Sequence, residues 1–258
     1  MEDPRPSPAL VELLGERRPL LVLTGAGVSA ESGLATFRGP DGLWEGRDPT
    51  ELATPEAFRD DPLTVWRFYA WRREQALAAR PNPGHRALAE LEKSRPGFTV
   101  VTQNVDGLHA LAAREEAEAT DPGPALPLQL HGSLFRVRCT ACHFAADDRS
   151  TVDASSPATL PHCPECDALL RPAVIWFGEA LDEEVLSRAF EAAGSAQVCI
   201  VAGTSAVVHP AASIPLATAR FRGAIIEVNP DATPLSRMAA VTLAGPAGAL
   251  LPQLVEPS

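Results

Sequence analysis

Five short apolar runs constrain this chain more than any other feature: PLLVLTG at 19–25, FTVVTQN at 98–104, VCIVAGTS at 198–205, AIIEVN at 224–229 and AVTLAG at 240–245. Each is rich in Val, Ile or Leu and lacks polar alternation, the pattern of strands covered on both faces as in a parallel sheet, although periodicity alone does not separate them from buried helix. Helical stretches lie between them, including RALAELEK at 86–93 and EEVLSRAFEAA at 183–193. Strand, helix, strand in that order predicts an α/β fold built on a Rossmann-like parallel sheet. The first four runs end in small or polar residues: Thr24-Gly25, Gln103-Asn104, Gly203-Thr204-Ser205 and Asn229-Pro230. Ligands of open α/β sheets bind just past the carboxyl ends of the strands, so one site can draw on all four ends.

Two segments break the sheet pattern. Residues 45–85 read as helical in part, and residues 136–170 hold four of the five cysteines with little periodicity. Cys139-x2-Cys142 and Cys163-x2-Cys166 have 20 residues between them, the spacing of a zinc ribbon. Four thiolates close a tetrahedron, so such a metal would fold its module and leave no open position for water. A redox pair or unliganded thiols are the alternative. Cys199, inside an apolar run, reads as a small core residue. The expected organisation is a Rossmann-like domain from 1–44, 86–135 and 171–258, a helical insert at 45–85 and a zinc-binding module at 136–170.

Composition narrows the partners. Lys plus Arg number 22 against 33 Asp plus Glu, a formal charge of −11, which disfavours non-specific binding to nucleic acid or anionic lipid. The start MEDPRPSPAL has no basic or apolar stretch of a secretory signal, and runs such as LLVL fall far short of the ~20 residues that cross a bilayer. The expectation is a cytoplasmic chain without membrane or nucleic-acid partners. Its oligomeric state is not encoded legibly, and a monomer is the default.

Gly25-Ala26-Gly27-Val28-Ser29-Ala30 follows the first run and satisfies G-x-G-x-x-A. In a strand-to-helix turn this spacing lets the backbone approach a pyrophosphate. An ordinary βα turn has the same residues, and no acidic side chain stands at the usual ~20-residue offset, which argues against a standard dehydrogenase site.

The stretch Gly25 to Trp44, GAGVSAESGLATFRGPDGLW, closely resembles the cofactor-binding signature of the sirtuins, the NAD-dependent protein deacylases. Gln103-Asn104-Val105-Asp106-Gly107-Leu108-His109, His131-Gly132-Ser133, the double CxxC, Gly203-Thr204-Ser205 and Glu227-Val228-Asn229 follow in family order. The resemblance implies NAD as cofactor. It assigns Gly25, Ala26, Gly27, Ala30, Phe37, Arg38, Trp44, Gln103, Asn104, Asp106, Gly203, Thr204, Ser205, Asn229 and Ala247 to its binding, and zinc to Cys139, Cys142, Cys163 and Cys166. It makes His131 the catalytic base, a role that suits an imidazole titrating near neutrality. The implied reaction transfers an acyl group from lysine, releasing nicotinamide, free lysine and O-acyl-ADP-ribose, with acyl-lysine proteins or peptides as partners. Val174 to Glu179, with Phe177 and Gly178, resembles the strand that pairs with the substrate backbone.

Asp61 and Pro62 read as N-cap and first residue of a helix, with Pro81 beyond its end. Tyr69 and Arg72 would share a face of it. From spacing alone Arg72 reads as a solvated cation on an amphipathic helix. Tyr-x-x-Arg after Ala53-Thr54-Pro55 resembles the class III sirtuins, which implies an acyl pocket for succinyl- and malonyl-lysine, with Ala53 as its small wall and acetyl as a weaker substrate. The chain departs from the family in a Pro-rich lengthening between His109 and His131, and in Gln129 standing near the usual acidic position. The rival readings are a mono-ADP-ribosyltransferase and a non-enzymatic NAD-sensing zinc protein.

Overall fold

The computed structural model describes residues 10, 13–15, 18–36, 44, 46–117 and 125–255. Its centre is a parallel sheet of β1 (Leu20–Thr24), β2 (Phe98–Thr102), β3 (Leu128–Gln129), β7 (Val198–Ala202), β8 (Ala224–Asn229) and β9 (Val241–Ala244). The order is β3-β2-β1-β7-β8-β9, so the chain winds outward from β1 in one direction and from β7 in the other. The crevice at that reversal lies past the ends of Thr24 and Ala202, where open α/β sheets bind ligands.

Alternating residues of the strands enter opposite cores. Leu20, Val22, Ile200 and Val228 pack with Leu88 and Leu91 of α5 (Pro83–Ser94) and Leu251 of α9 (Ala247–Val255). Leu21, Leu23, Val201 and Ile225 pack with Ala189 and Ala193 of α7 (Glu183–Ser195) and Ile214 of α8 (Ile214–Arg220). Burial on both faces explains why the five apolar runs lack polar alternation.

The segments outside the sheet form a third core of their own. Helices α2 (Pro49–Leu52), α3 (Pro55–Asp60) and α4 (Pro62–Ala78) pack on an antiparallel sheet of β4 (Gly132–Cys139), β5 (Ala145–Asp147) and β6 (Leu170–Val174), ordered β5-β4-β6. Trp66, Phe68 and Tyr69 are at most 1% exposed there, among Leu134, Val137, Val174 and Trp176, and Trp66 Nε1 donates to Leu170 O at 2.9 Å. The helical insert and the cysteine module thus share one core. The expected boundaries at 135/136 and 170/171 run through β4 and β6. Asp61 does cap α4, its Oδ1 accepting from Thr64 N at 3.0 Å, with Pro62 as first residue.

Arg73, 2% exposed, ties the two parts together: it donates to the carbonyls of Asp148 at 2.6 Å and Ser150 at 2.9 Å and lies 3.3 Å from the Asp148 carboxylate. No described helix is long and apolar enough to cross a membrane.

Candidate functional site

The carboxyl ends of β1, β2 and β7 meet. Gly25 N donates to Ala202 O at 3.1 Å and Gly27 N to Gly203 O at 2.8 Å, interlocking the turn into α1 (Gly27–Ala30) with the turn after β7. A Cβ on Gly25 would lie 2.7 Å from Thr204 Cβ, and one on Gly203, whose φ is +59°, 2.4 Å from Val28 N. The glycines therefore have a packing reason beyond the ligand approach inferred from their spacing. Gln103 Nε2 donates to Thr204 Oγ1 at 3.0 Å, joining the β2 and β7 ends. The rim so formed sets the uncharged polar side chains of Gln103 and Thr204 beside closely packed glycines, a lining that fits a dinucleotide.

Beneath the rim lies a buried polar network. Ser29 Oγ donates to Asp106 Oδ2 at 2.7 Å and accepts from Asn104 Nδ2 at 3.1 Å. His85 Nε2 lies 3.5 Å from the same oxygen, while His85 Nδ1 accepts from Asn82 N at 3.3 Å, so Nε2 carries the ring proton. Thr24 Oγ1 donates to Thr102 Oγ1 at 2.8 Å, which leaves it to accept from His109 Nε2 at 2.9 Å. No local pattern marks Ser29, whose partners Asp106 and His85 are 77 and 56 residues away. His85, which reads from sequence as a cap, loop or core histidine, forms the capping box of α5 with Asn82.

Burial pushes His85 to about 3 and His109 to about 4, and their rings lie 4.6 Å apart, a distance that favours two neutral imidazoles. Below the ordinary histidine value of about 6.5 the unfolded chain takes up protons that the fold refuses, so stability falls as pH drops toward about 4, by roughly 1.4 kcal/mol per pH unit for each histidine. Urea unfolding at pH 7 and pH 5 should show this loss, and His109→Gln should reduce the slope between the two pH values. An unchanged slope would assign the acid sensitivity elsewhere.

His131 sits just before β4, half-buried, with Nδ1 3.1 Å from Gln103 O. A carbonyl oxygen only accepts, so Nδ1 bears the proton and Nε2 keeps its lone pair. Burial lowers the pKa of His131, partly offset by that hydrogen bond. Gly132 follows with φ +77°, and a Cβ there would lie 2.1 Å from Ala173 O. The Ile175 N to His131 O bond of 2.9 Å ties the histidine to the 174–179 segment.

Other expected site residues lie around this centre. Asn229 ends β8, whose Glu227 accepts from Thr233 and Ser236 and so holds the following loop. Ala247 is 2% exposed at the start of α9, beside Gly248, whose N–H donates to Glu31. Ala30 is exposed at the end of α1. Trp44 stands in the third core, its ring 5.6 Å from Phe68. Phe37 and Arg38 lie outside the described residues. Ala53 is buried, and its carbonyl accepts from Phe177 N at 2.9 Å; Phe177 is exposed, and Gly178 follows with φ +86°. Arg72 is half-buried, with its guanidinium carbon 5.9 Å from the Tyr69 ring centre, and burial lowers its pKa against the opposing charges of Tyr69 and Asp106.

Cys139, Cys142, Cys163 and Cys166 bring their sulfurs within 4.8 Å of one another, with 3.5 Å from Cys139 to Cys166 and 3.6 Å from Cys142 to Cys163. A zinc tetrahedron with bonds near 2.3 Å has edges of about 3.8 Å, so the set fits. The Ala141 N–H lowers the Cys139 thiol to about 6. Cys199 is fully buried and pushed up to about 12, in keeping with a core residue.

The Sir2 family model matches residues 25–210. NAD-dependent protein deacylase 1 of Archaeoglobus fulgidus is 49% identical over 246 residues, covering 95% of each chain. The chain belongs to the Sir2 family. The NAD-dependent protein deacylase of Pyrococcus furiosus is 45% identical over 95% of both chains. A solved Sir2 homologue in complex with NAD superposes with a TM-score of 0.87 at 48% identity, covering 96% of this chain and 92% of that one. A Sir2–p53 peptide–NAD+ complex does so at 0.79 and 30% identity over 95% of each. The Sir2 fold expected from the ordered motifs is therefore the fold observed.

Proposed function

We propose that this chain is an NAD-dependent protein-lysine deacylase that removes succinyl and malonyl groups in preference to acetyl. The observation that carries the deacylase reading is the placement of His131, with a free Nε2, where the ends of β1, β2 and β7 converge. When bound, NAD supplies an electrophilic ribose carbon and nicotinamide as leaving group. Gly25, Ala26, Gly27, Gly203, Thr204, Ser205, Asn229 and Ala247 would hold its phosphates and adenosine end. Gln103, Asn104 and Asp106 would surround its nicotinamide ribose, with Ser29 fixing the last two. His131 Nε2 would accept the proton of a ribose hydroxyl, with the hydrogen bond from Nδ1 to Gln103 O steadying the imidazolium. The rest of the site orients two substrates and excludes water. The four cysteines would hold a structural zinc.

The acyl preference rests on Arg72 and Tyr69. A guanidinium takes a carboxylate bidentately, and the membership of Tyr69 and Ala53 in one buried core supports this reading. Arg72→Met and Tyr69→Phe should lower the ratio of kcat/KM for succinyl- over acetyl-lysine peptide by roughly ten- to a hundredfold. If the parent removes acetyl faster than succinyl, or Arg72→Met leaves the ratio alone, the receptor assignment is wrong.

A further inference from the structure

Tyr69 is the one tyrosine in the sequence and is 0% exposed on α4. Its hydroxyl oxygen accepts from Trp176 Nε1 at 2.9 Å, and the Arg72 guanidinium carbon lies 5.9 Å from its ring centre. An indole N–H and a guanidinium are donors only, whereas a phenol accepts at its lone pairs and donates a single proton. With the indole donating to it, the Tyr69 oxygen has an accepting site taken, and its proton must find an acceptor other than Trp176. A hydroxyl so constrained complements an acceptor.

The indole is itself held from several sides. Its backbone N–H donates to Glu179 Oε2 at 2.8 Å, and the Arg171 guanidinium lies 3.3 Å over its ring. Glu179 in turn takes Arg171 bidentately at 2.6 and 2.9 Å and receives Arg138 at 2.7 Å. Phe58 lies 5.3 Å away, ring centre to ring centre. A side chain fixed this firmly presents its N–H in one direction.

We propose that Trp176 is a specificity-determining residue that acts through Tyr69: by occupying the phenol oxygen as a donor, it commits the hydroxyl proton to the carboxylate of an acidic acyl chain. Trp176 is a positioning residue in this scheme and need not touch the substrate. The inference rests on Tyr69 and Arg72 being the carboxylate receptor.

The test compares kcat/KM for succinyl- and acetyl-lysine peptides in the parent, Trp176→Phe, Tyr69→Phe and the double variant. Trp176→Phe should lower the succinyl-to-acetyl ratio about three- to tenfold, the size of one neutral hydrogen bond, mainly through KM for the succinyl peptide. In the Tyr69→Phe background it should lower the ratio no further. Incorporated 3-fluorotyrosine gives a single ¹⁹F resonance, since Tyr69 has no tyrosine company. With NAD present, that resonance should shift on adding succinyl peptide and move less with acetyl peptide, and Trp176→Phe should erase the difference. If Trp176→Phe does not fold, Arg171→Gln, which frees the indole face and keeps its N–H, should lower the ratio in the same direction. An unchanged ratio in the folded variant, or an equal drop with Tyr69 already replaced, overturns the inference. A parent that lacks any succinyl preference overturns the receptor reading, and this inference with it. Failure of the inference alone leaves a preference that Arg72→Met removes and Trp176→Phe does not.

Discussion

His131→Ala should bind NAD nearly as the parent does and lose deacylation by about 10²–10⁴-fold, the usual share of a positioned general base. The fold tolerates the change because the imidazole contributes one described hydrogen bond, to Gln103 O, while the backbone of the same residue carries the bond to Ile175. Binding by calorimetry and turnover by mass spectrometry separate the two effects. The pH profile follows with a definite sign. Burial lowers the pKa of His131, so the free base persists below the ordinary histidine value of about 6.5. The acidic limb of kcat/KM, which reports the free enzyme, should accordingly fall below pH 6.5. Near-normal turnover in the variant would place the base elsewhere.

Removing the metal should unfold the small lobe and leave the parallel sheet. One zinc per chain is expected, and structural zinc contributes on the order of 10–16 kcal/mol to the fold it closes. Cys139 and Cys163 are buried in the same core as Trp66, Phe68 and Tyr69, whereas the cores on the two faces of the parallel sheet contain none of the four ligands. Chelation, or Cys163→Ala, should therefore abolish hydrogen-exchange protection in β4, β6 and α4 and preserve it in β1, β2, β7 and β8. Activity would be lost as a consequence, since Gly132 begins β4 and His131 is tied to the segment after β6. Absence of bound metal in the purified protein, or loss of protection in the parallel sheet first, would contradict this.

What could be read from the sequence was what local chemistry writes. Leu20 to Thr24 and Val198 to Ala202 are buried on both faces, and their short Val-, Ile- and Leu-rich runs between helical stretches read as strands. Asp61-Pro62 announces α4 because an N-cap and a proline act within four residues of each other. The double CxxC carries its ligands in its spacing, and the structure brings the four sulfurs together.

Other elements are illegible for physical reasons. β3 is two residues long and is defined by its neighbour β2. β4 and β6 pair across the cysteine loop, with a register shift between Gly132 and Val137. α9 contains Gly248 and Pro252, which hide a helix from propensity, and the protein holds it by packing Leu251 and Leu254 against the sheet. The bond from Trp176 to Tyr69 spans 107 residues, and nothing near either residue in the chain foretells it. Trp44 takes its expected cofactor role from its place in a motif, and nothing nearby in the chain foretells its packing against Phe68 in the third core.

The most direct measurement of the central claim is product analysis by mass after incubating the protein with NAD and matched succinyl-, malonyl- and acetyl-lysine peptides. The account predicts free lysine peptide, nicotinamide and O-acyl-ADP-ribose in equal amounts, formed faster from the succinyl and malonyl peptides than from the acetyl peptide. ADP-ribose attached to protein with every acyl group still on its lysine, or no release of nicotinamide at all, would contradict it.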